Sequence, residues 1–276
     1  MPEMPEVQSI IDNLIENKIL NKKIINIDTF MEKLFKNTSS DNFKNSIINE
    51  SIVSIERKGK YLIFHLSNEK VFVVHLRMEG KLFYEVNDFQ LSPKHILVIF
   101  YFNNNKKLIY HDTRRFGTFT LYSKENYLLS KELSKVALDP LDINFNWKYL
   151  KKNFKKSTRF IKSILLDQTV VSGIGNIYAD EILFLSKINP FKKTNTLTDL
   201  DIKNIVESSK QVMTKAIENK GTTISSYLYK KDGMGNFQQY LNVHTKKNVP
   251  CVFCGTLIEK TKVNGRGTYL CKICQK

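Results

Sequence analysis

No stretch of the sequence approaches the ~18 to 20 consecutive apolar residues that a membrane-spanning helix requires, and the first residues carry Glu3 and Glu6 in place of a basic region followed by an apolar run. Neither a membrane span nor a secretory leader is expected, and the expected compartment is the cytosol. Cysteine is absent outside positions 251 to 274. Four clustered thiols fit a metal site in a reducing compartment better than a dispersed disulfide framework. Internal repeats are also missing, the "MPEMPE" echo being too short to count. Acidic residues are few against the bases, 27 to 43, which leaves a formal charge of +16. Such a surface attracts polyanions through many weak phosphate contacts, and nucleic acid leads as partner. The plain alternative is that Lys, Asn and Ile are abundant because the coding sequence is AT-rich.

At 276 residues the chain can support two modest cores, and 42 % hydrophobic with 25 % charged residues is an ordinary globular balance. Residues 5 to 19 place Val7, Ile10, Ile11, Leu14 and Ile15 at helical spacing. From about 24 to 121, short β-branched and aromatic runs separated by turn residues predict an antiparallel sandwich or barrel. Helical patterns follow at about 125 to 134, 145 to 154, 160 to 168, 177 to 186 and 198 to 219, with a break at "ALDPLDINFN". The expected domains are therefore a β-rich sandwich or barrel domain over 1–123, a linker over 124–138, a helical domain over 139–238 and a small hairpin module over 239–276. The fold class is α+β.

Cys251, Cys254, Cys271 and Cys274 form two Cys-x2-Cys pairs sixteen residues apart. Each pair supplies two thiolates from one tight turn, so four sulfurs can close a tetrahedron around one structural Zn2+ while a hairpin spans the gap. No position is left open for catalysis. Residues 245 to 276 carry seven bases against Glu259 alone, and Arg266 in "NGRG" presents a planar donor fork suited to phosphate, or is an ordinary solvated turn arginine. "SGIGNIYADEILF" sets a Gly-x-Gly loop before a helix capped by Asn176, whose first N–H groups make a ready anion site, or simply a capped helix. Met78 in "HLRMEG" and Phe116 in "DTRRFG" are either core residues or exposed wedges beside Arg114 and Arg115. Lys60 in "RKGKYL" alternates with apolar neighbours and taken alone reads as a surface residue.

Together, "PEMPEV" at 2 to 7, "RKGKYL", "HLRMEG", "DTRRFG", "LLDQTVVSGIGNIYADEILF", "GTT" at 221 to 223 and the four-Cys segment ending "CQK" resemble the formamidopyrimidine-DNA glycosylase family over the whole length. The resemblance implies an N-terminal β-sandwich with flanking helices, a helix-two-turns-helix domain and a C-terminal zinc hairpin, with double-stranded DNA between the lobes. It implies a monomeric bacterial enzyme of base excision repair that removes oxidised purines and then cleaves the strand by β,δ-elimination. Met1 is expected to be removed because residue 2 is small, leaving Pro2 as an amine nucleophile, with Glu3 as the acid.

Lys60 and Arg266 complete the implied catalytic set. His75, Met78, His95, Arg114, Phe116, Lys162 and Asn176 are the implied DNA contacts, since a flipped nucleotide leaves a gap to be filled. Glu79, Thr222, Ile224, Ser225, Ser226 and Tyr227 are the implied lesion contacts, the last five within a capping loop over 222–237. Two departures stand out: "ALDPL" replaces the family's usual Gly-Pro-Glu-Pro-Leu, and "HTKKN" at 244 to 248 its usual Tyr-Gly-Arg. The rival implications are an endonuclease VIII-like enzyme for oxidised pyrimidines and a non-catalytic paralogue that binds damage, which would be expected to lack Pro2 or Glu3.

Overall fold

The short β-branched and aromatic runs in the first half of the chain do produce strands, some paired with sequence neighbours and others, such as Ile24–Thr29 with Ile96–Phe102, far apart in the chain. In the computed structural model, which describes residues 1–84, 91–155, 157–222 and 235–276, two compact units are seen. The first holds most of the chain up to Ser134. It contains α1 (Met4–Glu16), β1 (Ile24–Thr29), α2 (Ser40–Ile47), β2 (Ile52–Lys58), β3 (Tyr61–Leu66), β4 (Lys70–His75), β5 (Gly80–Tyr84), β6 (Ile96–Phe102), β7 (Lys107–Asp112) and β8 (Thr118–Ser123). The strands form two four-stranded antiparallel sheets, ordered β2-β3-β4-β8 and β1-β6-β7-β5.

Inward residues of both sheets close one core, in which Phe64 and Phe72 stack at 4.4 Å and Phe43 meets Phe72, Phe100 and Phe119 edge-on. Edge-on pairs set each ring's positive rim against its neighbour's π face. Val7, Ile10, Ile11 and Leu14 of α1 join that core at the predicted spacing. Within the span expected to be all strand, α2 is an unforeseen helix. Ser39 caps it by accepting from the Asn42 N–H at 3.1 Å, and Phe43 and Ile47, four apart, are its buried stripe.

The second unit contains α3 (Trp147–Phe154), α4 (Ile161–Leu165), α5 (Asn176–Leu185), α6 (Asp199–Glu218), β9 (Glu259–Val263) and β10 (Arg266–Leu270), and the short segment Glu3–Pro5. A capping box of Thr198 and Asp201 starts α6. The central helix α5 is buried from Tyr178 through Phe184, and α4 and α6 pack on it. Over 125 to 134 the predicted helix is absent: Tyr127–Leu129 make a single 3-10 turn and Leu129 is exposed, because no apolar stripe there meets a core. No helix among the described residues is long and apolar enough to cross a membrane.

Candidate active site

The Gly-x-Gly loop turns out to be built around a carboxylate of this same chain. Gly175 and not Asn176 is the N-cap of α5, and the Glu3 carboxylate accepts from the N–H groups of Gly175 at 2.7 Å, Ile177 at 3.1 Å and Tyr178 at 3.5 Å. The anion foreseen at this helix N-terminus is therefore internal. One residue on, the Met4 N–H donates to the Gly173 carbonyl at 3.0 Å, and Met4 enters the apolar core of the helical unit. Both glycines are required by this contact. Gly173 has a φ of +83°, and a Cβ there would lie 2.7 Å from the Met4 Cβ; a Cβ at Gly175 would overlap the Glu3 carboxyl group. The residue that follows Pro2 is thus fixed by a helix dipole and three donors, and it is 3 % exposed.

Lys162 does not reach a surface where a phosphate could meet it. Its side chain is fully buried, and its ammonium donates to Asp180 Oδ1 at 2.7 Å, the Gly267 carbonyl at 2.8 Å and Thr268 Oγ1 at 2.8 Å, which uses all three hydrogens. Burial pushes its pKa down from the usual lysine value, against the pull of Asp180. The implied phosphate contact at Lys162 is corrected to a strut beneath the hairpin. Asp180 Oδ2 takes a second partner, His244 Nδ1 at 2.8 Å, so the His that opens "HTKKN" belongs to the same network. Asn176 donates from Nδ2 to the Gly267 carbonyl at 2.9 Å. Nothing in the spacing of the sequence marks Asp180 as the partner of both Lys162 and His244.

Above this strut, Asn264 (φ +45°) and Gly265 (φ +77°) make a two-residue turn between β9 and β10. Arg266 follows it and is exposed. At the other end of the hairpin the four Cys Sγ atoms lie within 4.8 Å of one another, with Cys251–Cys274 at 3.8 Å and Cys254–Cys271 at 3.5 Å. A zinc tetrahedron with Zn–S bonds of ~2.3 Å has edges of ~3.8 Å, so the residues fit one structural ion. Gln275, nearly fully buried, accepts from the Cys271 N–H at 2.9 Å and donates to the Ile188 carbonyl at 3.0 Å, which ties the second Cys turn to the helical unit.

In the sandwich unit the loop between β4 and β5 carries Met78, exposed, and Glu79, half-buried. The loop between β7 and β8 carries Arg114 and Phe116, both exposed, with the guanidinium 5.0 Å from the ring centre. Neither Met78 nor Phe116 is a core residue. Buried Asp112 shapes the second loop by accepting from the N–H groups of Arg114, Phe116 and Gly117, each at 2.9 Å. Tyr110 donates to Asp112 at 3.2 Å, and its hydroxyl lies under both loops: a Cβ at Gly80 would come within 2.5 Å of it, and one at Gly117 would overlap it. Tyr110 and Asp112 are positioning residues: Asp112 opens "DTRRFG" and Tyr110 lies two residues before it, and neither is marked by the motif.

Lys60 sits in the turn between β2 and β3 and is 5 % exposed, contrary to its solitary reading as a surface residue. Arg57 braces that turn through the Gly59 carbonyl at 3.1 Å. His75, implied as a DNA contact, is turned inward: Nδ1 accepts from the Arg77 N–H at 3.0 Å and the ring meets Tyr61 edge-on at 4.5 Å. It braces the Met78 loop and does not face outward. His95 is half-buried, 5.5 Å from the His111 ring, and its Nδ1 has no hydrogen-bond partner among the described residues. Thr222 is buried and bridges Asn236, while Ile224, Ser225, Ser226 and Tyr227 lie outside the described residues.

Burial, aided by Arg77 and Lys60, lowers the His75 pKa to about 3. An unfolded histidine titrates near ~6.5, so between those values the unfolded state holds the extra proton and falling pH favours unfolding. The slope is about 1.4 kcal/mol per pH unit for one proton. His75→Asn keeps an acceptor for the Arg77 N–H without titrating. Denaturant melts from pH ~7 down to ~5 are expected to show a shallower loss of stability in that variant, by about one proton.

Residues 1–119 match the formamidopyrimidine-DNA glycosylase N-terminal domain, 136–227 the formamidopyrimidine-DNA glycosylase H2TH domain, and 250–276 the zinc finger found in FPG and IleRS. The chain is 50 % identical over 275 residues to a formamidopyrimidine-DNA glycosylase of Ureaplasma parvum, covering 100 % of both chains. It is 47 % identical to that of Mycoplasma genitalium, covering 100 % of this chain and 96 % of the relative. A crystal structure of a Lactococcus lactis FPG variant with a Fapy-dG containing DNA superposes with a TM-score of 0.93 at 36 % identity, covering 100 % of both chains. Another, of the Lactococcus lactis Fpg with an abasic site containing DNA, gives 0.91 at 36 %, covering 99 % of both. With the Glu3 cradle, the paired loops over Tyr110 and the four-sulfur hairpin all carried by one chain of matching length, this protein belongs to the formamidopyrimidine-DNA glycosylase family.

Proposed function

We propose that the chain excises oxidised and ring-opened purines from duplex DNA, using the secondary amine of Pro2 as nucleophile and Glu3 as proton carrier. Family membership makes it a DNA glycosylase of base excision repair, and the family joins base removal to cleavage at the resulting abasic site. The observation that carries the residue roles is the Glu3 carboxylate held by three backbone donors at the start of α5, one peptide bond after Pro2. Attack of the amine on C1′ displaces the base and leaves the nitrogen with an extra proton. Glu3 takes that proton and delivers it to the ring oxygen, so the sugar opens and C1′ becomes an iminium. The iminium draws electrons from the neighbouring C–H bond, and the two phosphates leave in turn.

Lys60 acts near the lesion phosphate, Arg266 on the phosphate that leaves second, and Asn176 and His95 on the flanking backbone. Met78 and the Arg114–Phe116 pair fill the space left by the extruded nucleotide, with Arg114 facing the orphaned cytosine. Glu79 and Thr222 contact the lesion. Zinc, when bound by the four cysteines, holds the hairpin that carries Arg266. The reading places a monomeric enzyme in the bacterial cytosol.

The test is borohydride trapping. Protein whose mass confirms loss of Met1 is mixed with a duplex carrying 8-oxoguanine opposite cytosine and then reduced. The expected result is a covalent complex whose modified peptide begins at Pro2, absent from a control protein in which Met1 is retained. A complex mapping to any lysine, or cleavage with no trapped species, would overturn the terminal amine.

A further inference from the structure

The Cys turns of the zinc module expose apolar side chains for which base excision has no use. In Cys-Val-Phe-Cys and Cys-Lys-Ile-Cys the residues between the ligands are Val252 at 65 % exposure, Phe253 at 56 % and Ile273 at 52 %. Four sulfurs within 4.8 Å of one another draw the two turns together, so these residues sit on adjacent turns. Val249 and Leu257, also exposed, are brought alongside by the Pro250–Leu257 bridge and by the Ile258 N–H bond to the Val249 carbonyl at 2.9 Å. Scattered exposed apolar residues are ordinary, but five of them on the two Cys turns and the segment bridged to the first mark a small module as an interaction surface.

The surface lies at the far end of the hairpin from Arg266. β9 runs away from the Cys turns to Asn264 and Gly265, and β10 returns from Arg266 to Cys271. Five residues of extended chain span ~17 Å, so a phosphate on Arg266 leaves the Cys turns free. Phe253 is held in place by stacking on Phe184 at 5.1 Å, with Lys187 Nζ 6.0 Å from its ring centre. Lys246 and Lys247 lie just ahead of Val249, and the one nearby acid, Glu259, is paired with Lys272 at 2.6 Å. A basic rim around an apolar centre complements an acidic chain. A second copy would bring the same rim and the same +16 charge.

We infer that the Cys-turn face is a docking site for an acidic protein segment bearing apolar side chains, which recruits the enzyme without occupying its DNA-binding end. Zinc-loaded full-length protein is titrated with a labelled peptide alternating Asp with Leu and Phe, and with a peptide of equal charge in which Ser replaces Leu and Phe. Saturable binding is expected for the first, at least about tenfold tighter than for the second. Val252→Glu with Ile273→Glu should weaken it by about tenfold or more, with zinc content and duplex affinity unchanged. Val252→Ser with Ile273→Ser, which adds no charge, gives the same direction if the acidic pair loses its zinc.

Equal affinity for the two peptides would reduce the effect to bulk charge and overturn the proposal. Binding that survives both variant pairs would do so too. Loss of duplex affinity in Val252→Ser with Ile273→Ser would assign the face to nucleic acid, and a concentration-dependent dimer abolished by the same pair would assign it to a second copy. Either result replaces the acidic segment.

Discussion

Gly175→Ala is expected to slow base excision by roughly 10² to 10³ while duplex binding changes little, because general acid–base assistance is worth ~10² to 10⁴. The added methyl group would occupy the position of the Glu3 carboxyl, and the backbone of α5 cannot retreat from a core that buries Tyr178 through Phe184. Glu3→Gln tests the same assignment without adding volume. It retains an acceptor for one or two of the N–H groups at Gly175, Ile177 and Tyr178 but cannot carry a proton. Single-turnover excision from a duplex containing 8-oxoguanine, set against gel-shift affinity and thermal melts, separates chemistry from folding. If Glu3→Gln excises at the parental rate, another group carries the proton.

Removal of zinc should be the second large effect, and it should fall on binding and the final strand cut more than on the stability of the sandwich. Among the described residues the buried apolar set around the Cys turns is Phe184, Val243, Cys251, Ile258 and Cys271, too little to order a hairpin in water. The ion supplies the difference, with apparent binding energies of ~10 to 16 kcal/mol in comparable structural sites. Without it Arg266 has no fixed position, and loss of one charge-assisted phosphate contact, ~1.5 to 3 kcal/mol, corresponds to about 10- to 100-fold in duplex affinity. Chelation or Cys254→Ser, followed by affinity and product analysis, is expected to show that loss together with accumulation of the product of the first elimination. Undiminished binding by metal-free protein would remove the hairpin from the interface.

Much of this was legible in the sequence where the signal is local. Short β-branched and aromatic runs gave strands because such side chains fit a packed sheet, even where, as at Val71 to Val74, both faces are buried, and two Cys-x2-Cys pairs gave the ion site because each pair closes within a single turn. The helix α2 was hidden among strands, although Ser39 with Phe43 and Ile47 is a cap followed by an apolar stripe. What could not be read was the identity of partners distant in the chain. "SGIG" announces a site for an anion, but the anion is a carboxylate some 170 positions earlier, at Glu3. Lys162 has the composition of a phosphate ligand, yet Asp180, Gly267 and Thr268 surround it completely, and a buried lysine has no signature of its own in "RFIKSILL".

The Tyr110 hydroxyl beneath both Gly80 and Gly117 makes the Met78 loop and the Arg114–Phe116 loop a matched pair. Neither can be exchanged as a cassette. Grafting "DTRRFG" from this chain into another scaffold, or shortening one loop to alter which opposing base is accepted, would also displace the other loop's anchor. Under the roles proposed for Met78, Arg114 and Phe116, selectivity for the orphaned base and the depth to which the duplex is entered are inherited together, and a library that varies one loop alone samples mostly misfitted combinations.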